Sequence, residues 1–170
     1  MINEKTFIAN NCTGGFLYRL LDRPYDNPFM WSVMSASDFL KMIKHFYEID
    51  FSNVKLIAPC KTTVLSICND ANCKFKHNSI AFMLDNKFEV LFPHHQMDNI
   101  GNIHKLTNRF MKFSKEISSM NKDRLFFILD ANDIISKKDV LDFLDNVQYN
   151  HMAISKYDIQ HRSHVKRLDT

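Results

Sequence analysis

Three apolar runs of the chain end in side chains that together could move an acyl group. Thr6–Ala9 leads into Asn10-Asn11-Cys12, Phe88–Phe92 into Pro93-His94-His95, and Leu125–Leu129 into Asp130. A thiol, an imidazole and a carboxylate are the set that nucleophilic acyl transfer needs. The imidazole takes the thiol proton, the carboxylate orients the imidazole, and fixed N–H groups receive the oxyanion. Cys12, His94 and Asp130 are therefore the candidate catalytic residues, with Asp98 and Asp133 competing for the third role. The side-chain amides of Asn10 and Asn11, or N–H groups near Thr13 and Gly14, are candidate oxyanion donors; Gly15, Trp31 and Arg109 complete the candidate substrate or oxyanion contacts.

Cys12 lies where a strand gives way to a helix. Gly14-Gly15 permit a tight turn, and Phe16, Leu17, Leu20 and Leu21 then recur with helical period. Free N–H groups and the positive helix end favour a thiolate over a thiol. The competing structural role for Cys12 is that of a small apolar residue buried beside a glycine turn.

A second constellation is Cys60, Cys68, Cys73 and His77, spaced C-x7-C-x4-C-x3-H. Four such ligands could close a tetrahedral structural zinc site. The run Thr62–Ile67 also reads as a strand, in which case the three cysteines are ordinary thiols around a hairpin.

Composition bounds these readings. The 170 residues suit one domain, 1–170, and 45% hydrophobic against 24% charged residues is ordinary for a packed protein. A net charge of +3 is too small to imply specific nucleic-acid binding. The basic residues near the C-terminus (His161, Arg162, His164, Lys166, Arg167) read as a solvated end. No apolar run reaches membrane-spanning length and Met1–Lys5 lacks a signal-peptide pattern, so a cytoplasmic protein is expected, with peripheral membrane association open. Only three Gly occur, in neither a P-loop nor a G-x-G-x-x-G arrangement, which argues against nucleotide chemistry of those kinds. No cofactor is expected beyond an acyl donor such as acetyl-CoA, or the alternative zinc.

The elements that must position Cys12, His94 and Asp130 follow from periodicity. Ser35–Asp38 caps a helix running to about Tyr47, and Asn99 to Met120 carries Ile100, Ile103, Leu106, Phe110, Phe113 and Ile117 on one face. Ser136–Asp139 opens a third helix. Val54–Ala58 reads as a strand, Ser79–Leu84 and Phe88–Phe92 as a hairpin, and Met152–Ile154 as a last strand. Strands alternating with helices predict a three-layer α/β fold: a mixed, mostly parallel sheet with helices on both faces, and an insert at 58–78. Reactive groups at strand carboxyl ends would then share one crevice.

With these residues in view, the chain resembles a bacterial family associated with exopolysaccharide and capsule gene clusters, and is similar to a neighbouring family described as papain-like cysteine peptidases. The resemblance rests on Asn10-Asn11-Cys12, Gly14-Gly15, Tyr18 and Arg23-Pro24-Tyr25-Asp26-Asn27-Pro28-Phe29. Further matches are Phe92-Pro93-His94-His95, Lys105, Arg109, Phe110 and Arg124–Asp130. It covers roughly residues 5–57 and 79–135, leaving Cys60–His77 unmatched. It departs at His95, where the family has Tyr or Asp, and at Met30, where the peptidase-like relatives have Asp. The resemblance implies Cys12 as nucleophile and His94 as base; no matched position fixes the third member. It further implies an acyltransferase or hydrolase acting on a saccharide or glycolipid precursor of the cell surface. The alternative is a non-catalytic sugar- or partner-binding module, zinc-stabilised through Cys60, Cys68, Cys73 and His77, and a third reading makes the chain one piece of a larger assembly.

Overall fold

The computed structural model describes residues 4–24, 27–59, 78–131 and 136–155. The expected zinc ligands Cys60, Cys68, Cys73 and His77, the strand at Thr62–Ile67, Asp133 and the basic C-terminal residues lie outside them. In chain order the described elements are β1 (Thr6–Ala9), α1 (Thr13–Leu20), α2 (Ala36–Lys44) and β2 (Val54–Ile57). They continue with β3 (Ser79–Leu84), β4 (Phe88–Gln96), α3 (Ile100–Ile117), β5 (Leu125–Ala131), α4 (Lys137–Asn146) and β6 (Asn150–Ser155).

These strands build a mixed α/β fold from two three-stranded sheets, one parallel (β1-β5-β6) and one antiparallel (β2-β3-β4). The single, mostly parallel sheet read from the sequence is thus replaced by equal halves. The reason is local: a short turn between β3 and β4 can only return the chain antiparallel, whereas α4 gives the crossover that parallel β5 and β6 require. Asp85 and Asn86 both hold positive φ (51° and 55°), and the Lys87 N–H closes the turn on the Leu84 carbonyl at 3.0 Å. Of the expected insert at 58–78, residues 60–77 lie outside the described residues; β2 and β3, on either side of it, pair with each other.

Val33 and Met34 tie the sheets together. Val33 exchanges N–H···O bonds with Leu91 of β4 (2.7 and 2.9 Å), and the Met34 N–H reaches the Asn10 carbonyl at the end of β1 (2.8 Å). Alternation along the parallel strands divides the core. Phe7, Ala9, Phe126 and Ile128 pack against Tyr18 of α1, while Ile8, Leu125, Phe127 and Leu129 join the large cluster fed by α2, α3 and α4. Phenylalanine fills that cluster: Phe29, Phe46, Phe51, Phe110, Phe113 and Phe127 are each at most 1–2% exposed.

The three longer helices begin at side-chain caps, the one at Ser35 as expected. Ser35 Oγ accepts the Asp38 N–H (3.0 Å) and Ser136 Oγ the Asp139 N–H (3.1 Å), each satisfying a first-turn donor, while the Asn102 N–H is shared between Asn99 Oδ1 (3.3 Å) and the Asn99 carbonyl (2.9 Å). In α1 the buried face is not the one read from the periodicity. Phe16 (58%) and Leu20 (80%) are exposed, and Gly14, Gly15 and Tyr18 face inward, because small residues let the helix lie close on β1. Among the described residues, no helix is long and apolar enough to cross a membrane.

Candidate active site

β1 and β5 run parallel in register from Thr6 opposite Leu125 to Ala9 opposite Ile128, so Cys12, beyond the carboxyl end of β1, lies beside the last residues of β5, where Asp130 stands. Asn10 fixes this junction. Its side chain is 4% exposed; Oδ1 accepts the Asp130 N–H (2.8 Å) and Nδ2 donates to the Asp130 carbonyl (3.2 Å). The amide expected to face an oxyanion is thus turned onto the β5 main chain. Its role is to clamp two strand ends where the ladder stops. Asn10→Ala would orphan both groups, each costing about 1–3 kcal/mol when buried without a partner. The expected result is a loss of about 2–4 kcal/mol, read as a lower urea midpoint at unchanged slope.

Asn11 shapes the bend itself. Its Oδ1 accepts the Thr13 N–H (2.9 Å) and its Nδ2 donates to Asp130 Oδ2 (2.6 Å), which also accepts from Thr13 Oγ1 (3.3 Å). Asp130 therefore holds the Cys12 bend from behind. Its carboxylate makes no hydrogen bond to His94, so its expected role as orienter of the imidazole is not what the geometry gives. Asp98, the described competitor for that role, makes no bond to His94 either.

His94 arrives by a different device. β4 pairs Phe92 with Ile80 and Gln96 with Ser79, leaving Pro93, His94 and His95 as a bulge opposite no residue of β3. Proline, which has no N–H to give a ladder, is suited to such a site, and a bulge re-aims side chains that alternation would otherwise fix. His94 Nε2 thereby comes to 3.5 Å from Cys12 Sγ, although 82 residues separate them in sequence. His94 is exposed and Cys12 half-buried.

His95 turns elsewhere. Its ring meets Phe92 edge-on at 5.9 Å, and its Nδ1 is enclosed without a hydrogen-bond partner among the described residues. Burial, and then the positive charges of Arg109, Lys105 and His94, hold its pKa below the ordinary histidine value. The charge of Arg109 thus acts on His95, the neighbour of the candidate base.

The electrostatics of Cys12 also depart from expectation. Cys12 is the residue before the first turn of α1, yet burial pushes its thiol up rather than down. Burial thus works against the thiolate that the helix end was expected to favour. Asn11 claims the Thr13 N–H, while the Gly14 and Gly15 N–H groups, lying in the first helical turn, have no acceptor within the helix. Neither glycine has positive φ, so their freedom to turn is unused. A side chain on Gly14 would meet Ala9 at an ordinary 3.5 Å, but on Gly15 it would stand 2.6 Å from the Trp31 indole.

The segment after α1 is scaffolding around Trp31. Asn27, 2% exposed, donates to the Phe7 carbonyl (3.2 Å) and Tyr18 Oη (2.9 Å) and accepts the Phe29 N–H (2.8 Å). The Arg23 guanidinium lies 4.6 Å from the Tyr18 ring centre and bonds the Lys5 carbonyl. Ser32 Oγ donates to the Phe29 carbonyl at 2.8 Å.

With this geometry in place, sequence comparison gives the family. The family described as "Domain of unknown function (DUF1919)" matches residues 1–165. The chain belongs to that family. A protein of Haemophilus influenzae (strain ATCC 51907 / DSM 11121 / KW20 / Rd) described as "Uncharacterized protein" is 24% identical over 151 residues, covering 86% of this chain and 61% of that protein. The chain thus spans about 61% of the length of the curated relative it matches.

Within this DUF1919 chain, sequence reasoning brought together Cys12 and His94, and it found Asn11, Gly15 and Trp31 near them. It missed Thr13 as a partner of Asp130. The signal was present: Asn11-x-Thr13 is an Asx-type bend followed by a helix start. Among the described residues, no cluster of three or more His, Cys, Asp or Glu side chains is arranged to hold a metal ion.

Proposed function

We propose that this chain is a Cys–His enzyme that transfers or hydrolyses acyl groups. The observation that carries the reading is the 3.5 Å approach of His94 Nε2 to Cys12 Sγ at the start of α1. His94 takes the thiol proton as Sγ attacks the acyl carbonyl, and the Gly14 and Gly15 N–H groups receive the oxyanion. Collapse expels the leaving group, which takes the proton from His94. Water or a hydroxyl acceptor, deprotonated in turn by His94, then releases the acyl group from the thioester and restores the thiol.

The resemblance to capsule- and exopolysaccharide-associated proteins suggests a saccharide or glycolipid-precursor acceptor, a cytoplasmic setting and peripheral contact with a membrane. A hydroxyl-bearing acceptor suits transfer, and water in its place makes the same site a hydrolase. The burial-raised thiol favours a second reading, a non-catalytic sugar- or partner-binding module using the same crevice.

The two readings separate with p-nitrophenyl acetate as probe. The enzyme reading expects nitrophenolate release together with an acetyl group on the Cys12 peptide, absent in Cys12→Ser. No acetylation of Cys12 in the folded wild-type protein would leave the binding module as the better account.

A further inference from the structure

We infer that the Trp31 indole, in place of a carboxylate, is the positioning group that orients the His94 imidazole toward Cys12. This rests on the acyl-transfer reading of the dyad. His94 is exposed on a bulge, and its described side-chain contacts are Cys12 Sγ and Trp31. A single 3.5 Å contact to sulfur does not fix the ring of an exposed histidine. In a triad that task falls to a carboxylate bonded to the other ring nitrogen. Here Asp130 is committed to Asn11 and Thr13. Trp31 instead meets the imidazole near-perpendicularly, with ring centres 5.7 Å apart and planes at 83°, the edge-to-face arrangement aromatic quadrupoles favour.

The indole is itself held on several sides. Phe16 meets it at 4.9 Å and 71°, and Gly15 leaves its ring no room for even a methyl group. Its backbone sits at φ 60°, a conformation that bulky residues rarely occupy and that persists only when the surroundings impose it. Those surroundings are the Asn27–Phe29–Ser32 hydrogen bonds on one side and the Val33–Leu91 pair on the other. The same Val33 pair anchors β4 just before the bulge that carries His94. One short segment thus sets both the strand that bears the base and the ring that aims it.

The test is a double-mutant cycle on the rate of Cys12 acetylation by p-nitrophenyl acetate, measured from pH 6 to 10. The proteins are wild type, Trp31→Leu, Trp31→Phe, His94→Ala and Trp31→Leu/His94→Ala. Both replacements are smaller than the indole, but phenylalanine keeps an aromatic partner and leucine does not, so comparing them separates loss of the ring contact from loss of volume. Trp31→Leu should acetylate about tenfold to a hundredfold more slowly near neutral pH, the loss expected from misplacing a reacting group. Its pH profile should move toward that of His94→Ala, and Trp31→Phe should recover much of the rate. The double variant should be no slower than His94→Ala alone, because the indole acts through the imidazole. Wild-type rates in Trp31→Leu, or losses that multiply in the double variant, would overturn the inference while leaving a His94 effect intact. No effect of His94→Ala would instead remove the acyl-transfer reading on which it rests.

Discussion

His94→Ala should acetylate Cys12 about 10²- to 10⁴-fold more slowly than wild type at neutral pH, the range over which a positioned general base contributes. The effect is expected to be large because burial disfavours the Cys12 thiolate, so few molecules carry it without help. The imidazole 3.5 Å away is the one described group placed to take the proton. His95→Ala is the internal control: its ring points to Phe92 and lies under the influence of Arg109 and Lys105. Stopped-flow nitrophenolate release, with peptide mapping of the acetyl group, separates the two histidines. Equal losses in both variants would mean that the bulge, rather than the His94 imidazole, is what matters.

The second large effect is on stability. Phe127 is fully buried in β5, 5.0 Å from both the Phe46 and Tyr149 rings and 6.3 Å from Phe39. Its neighbours come from α2, the turn after it and the approach to β6, so no single element can shift to fill its place. Phe127→Ala should cost about 3–5 kcal/mol through lost burial and a residual cavity. For a chain of this size that corresponds to a Tm lower by roughly 6–20 °C. Calorimetry provides the measure, and Phe16→Ala, at an exposed site, should change Tm little.

Much of the site was legible because it is local. Thr6–Ala9 forms β1 with the expected ends, the Cys12 bend leads directly into α1, and Ser35, Asn99 and Ser136 cap helices where their side chains can bond the next turn. What escaped the sequence is decided between distant segments. Asn10 and Asn11 look alike in sequence as candidate donors, yet Asp130, about 120 residues away, gives one a main-chain clamp and the other a side-chain bond. His94 and His95 differ only because the β3–β4 register breaks between Phe92 and Gln96, and nothing in Pro93-His94-His95 states which ring will face Cys12. Gly15 reads as a turn residue, but the structure spends its missing side chain on the Trp31 indole. The Cys12 thiol was expected to fall because helix ends attract charge. Burial decided otherwise, and burial depends on the whole packing around α1.

The most direct test of the Cys12–His94 assignment is the pH dependence of iodoacetamide alkylation at Cys12, read by peptide mass spectrometry in wild type and His94→Ala. A raised thiol pKa leaves less thiolate at any given neutral pH, so alkylation in His94→Ala should be slow at pH 7. Its rate should climb only above the ordinary cysteine range near ~8.5. Wild type, with the imidazole to take the proton, should react faster at pH 7 and converge with the variant at high pH. Superimposable profiles, or a Cys12 midpoint below ~7 that survives loss of His94, would contradict the pairing of this thiol with this base.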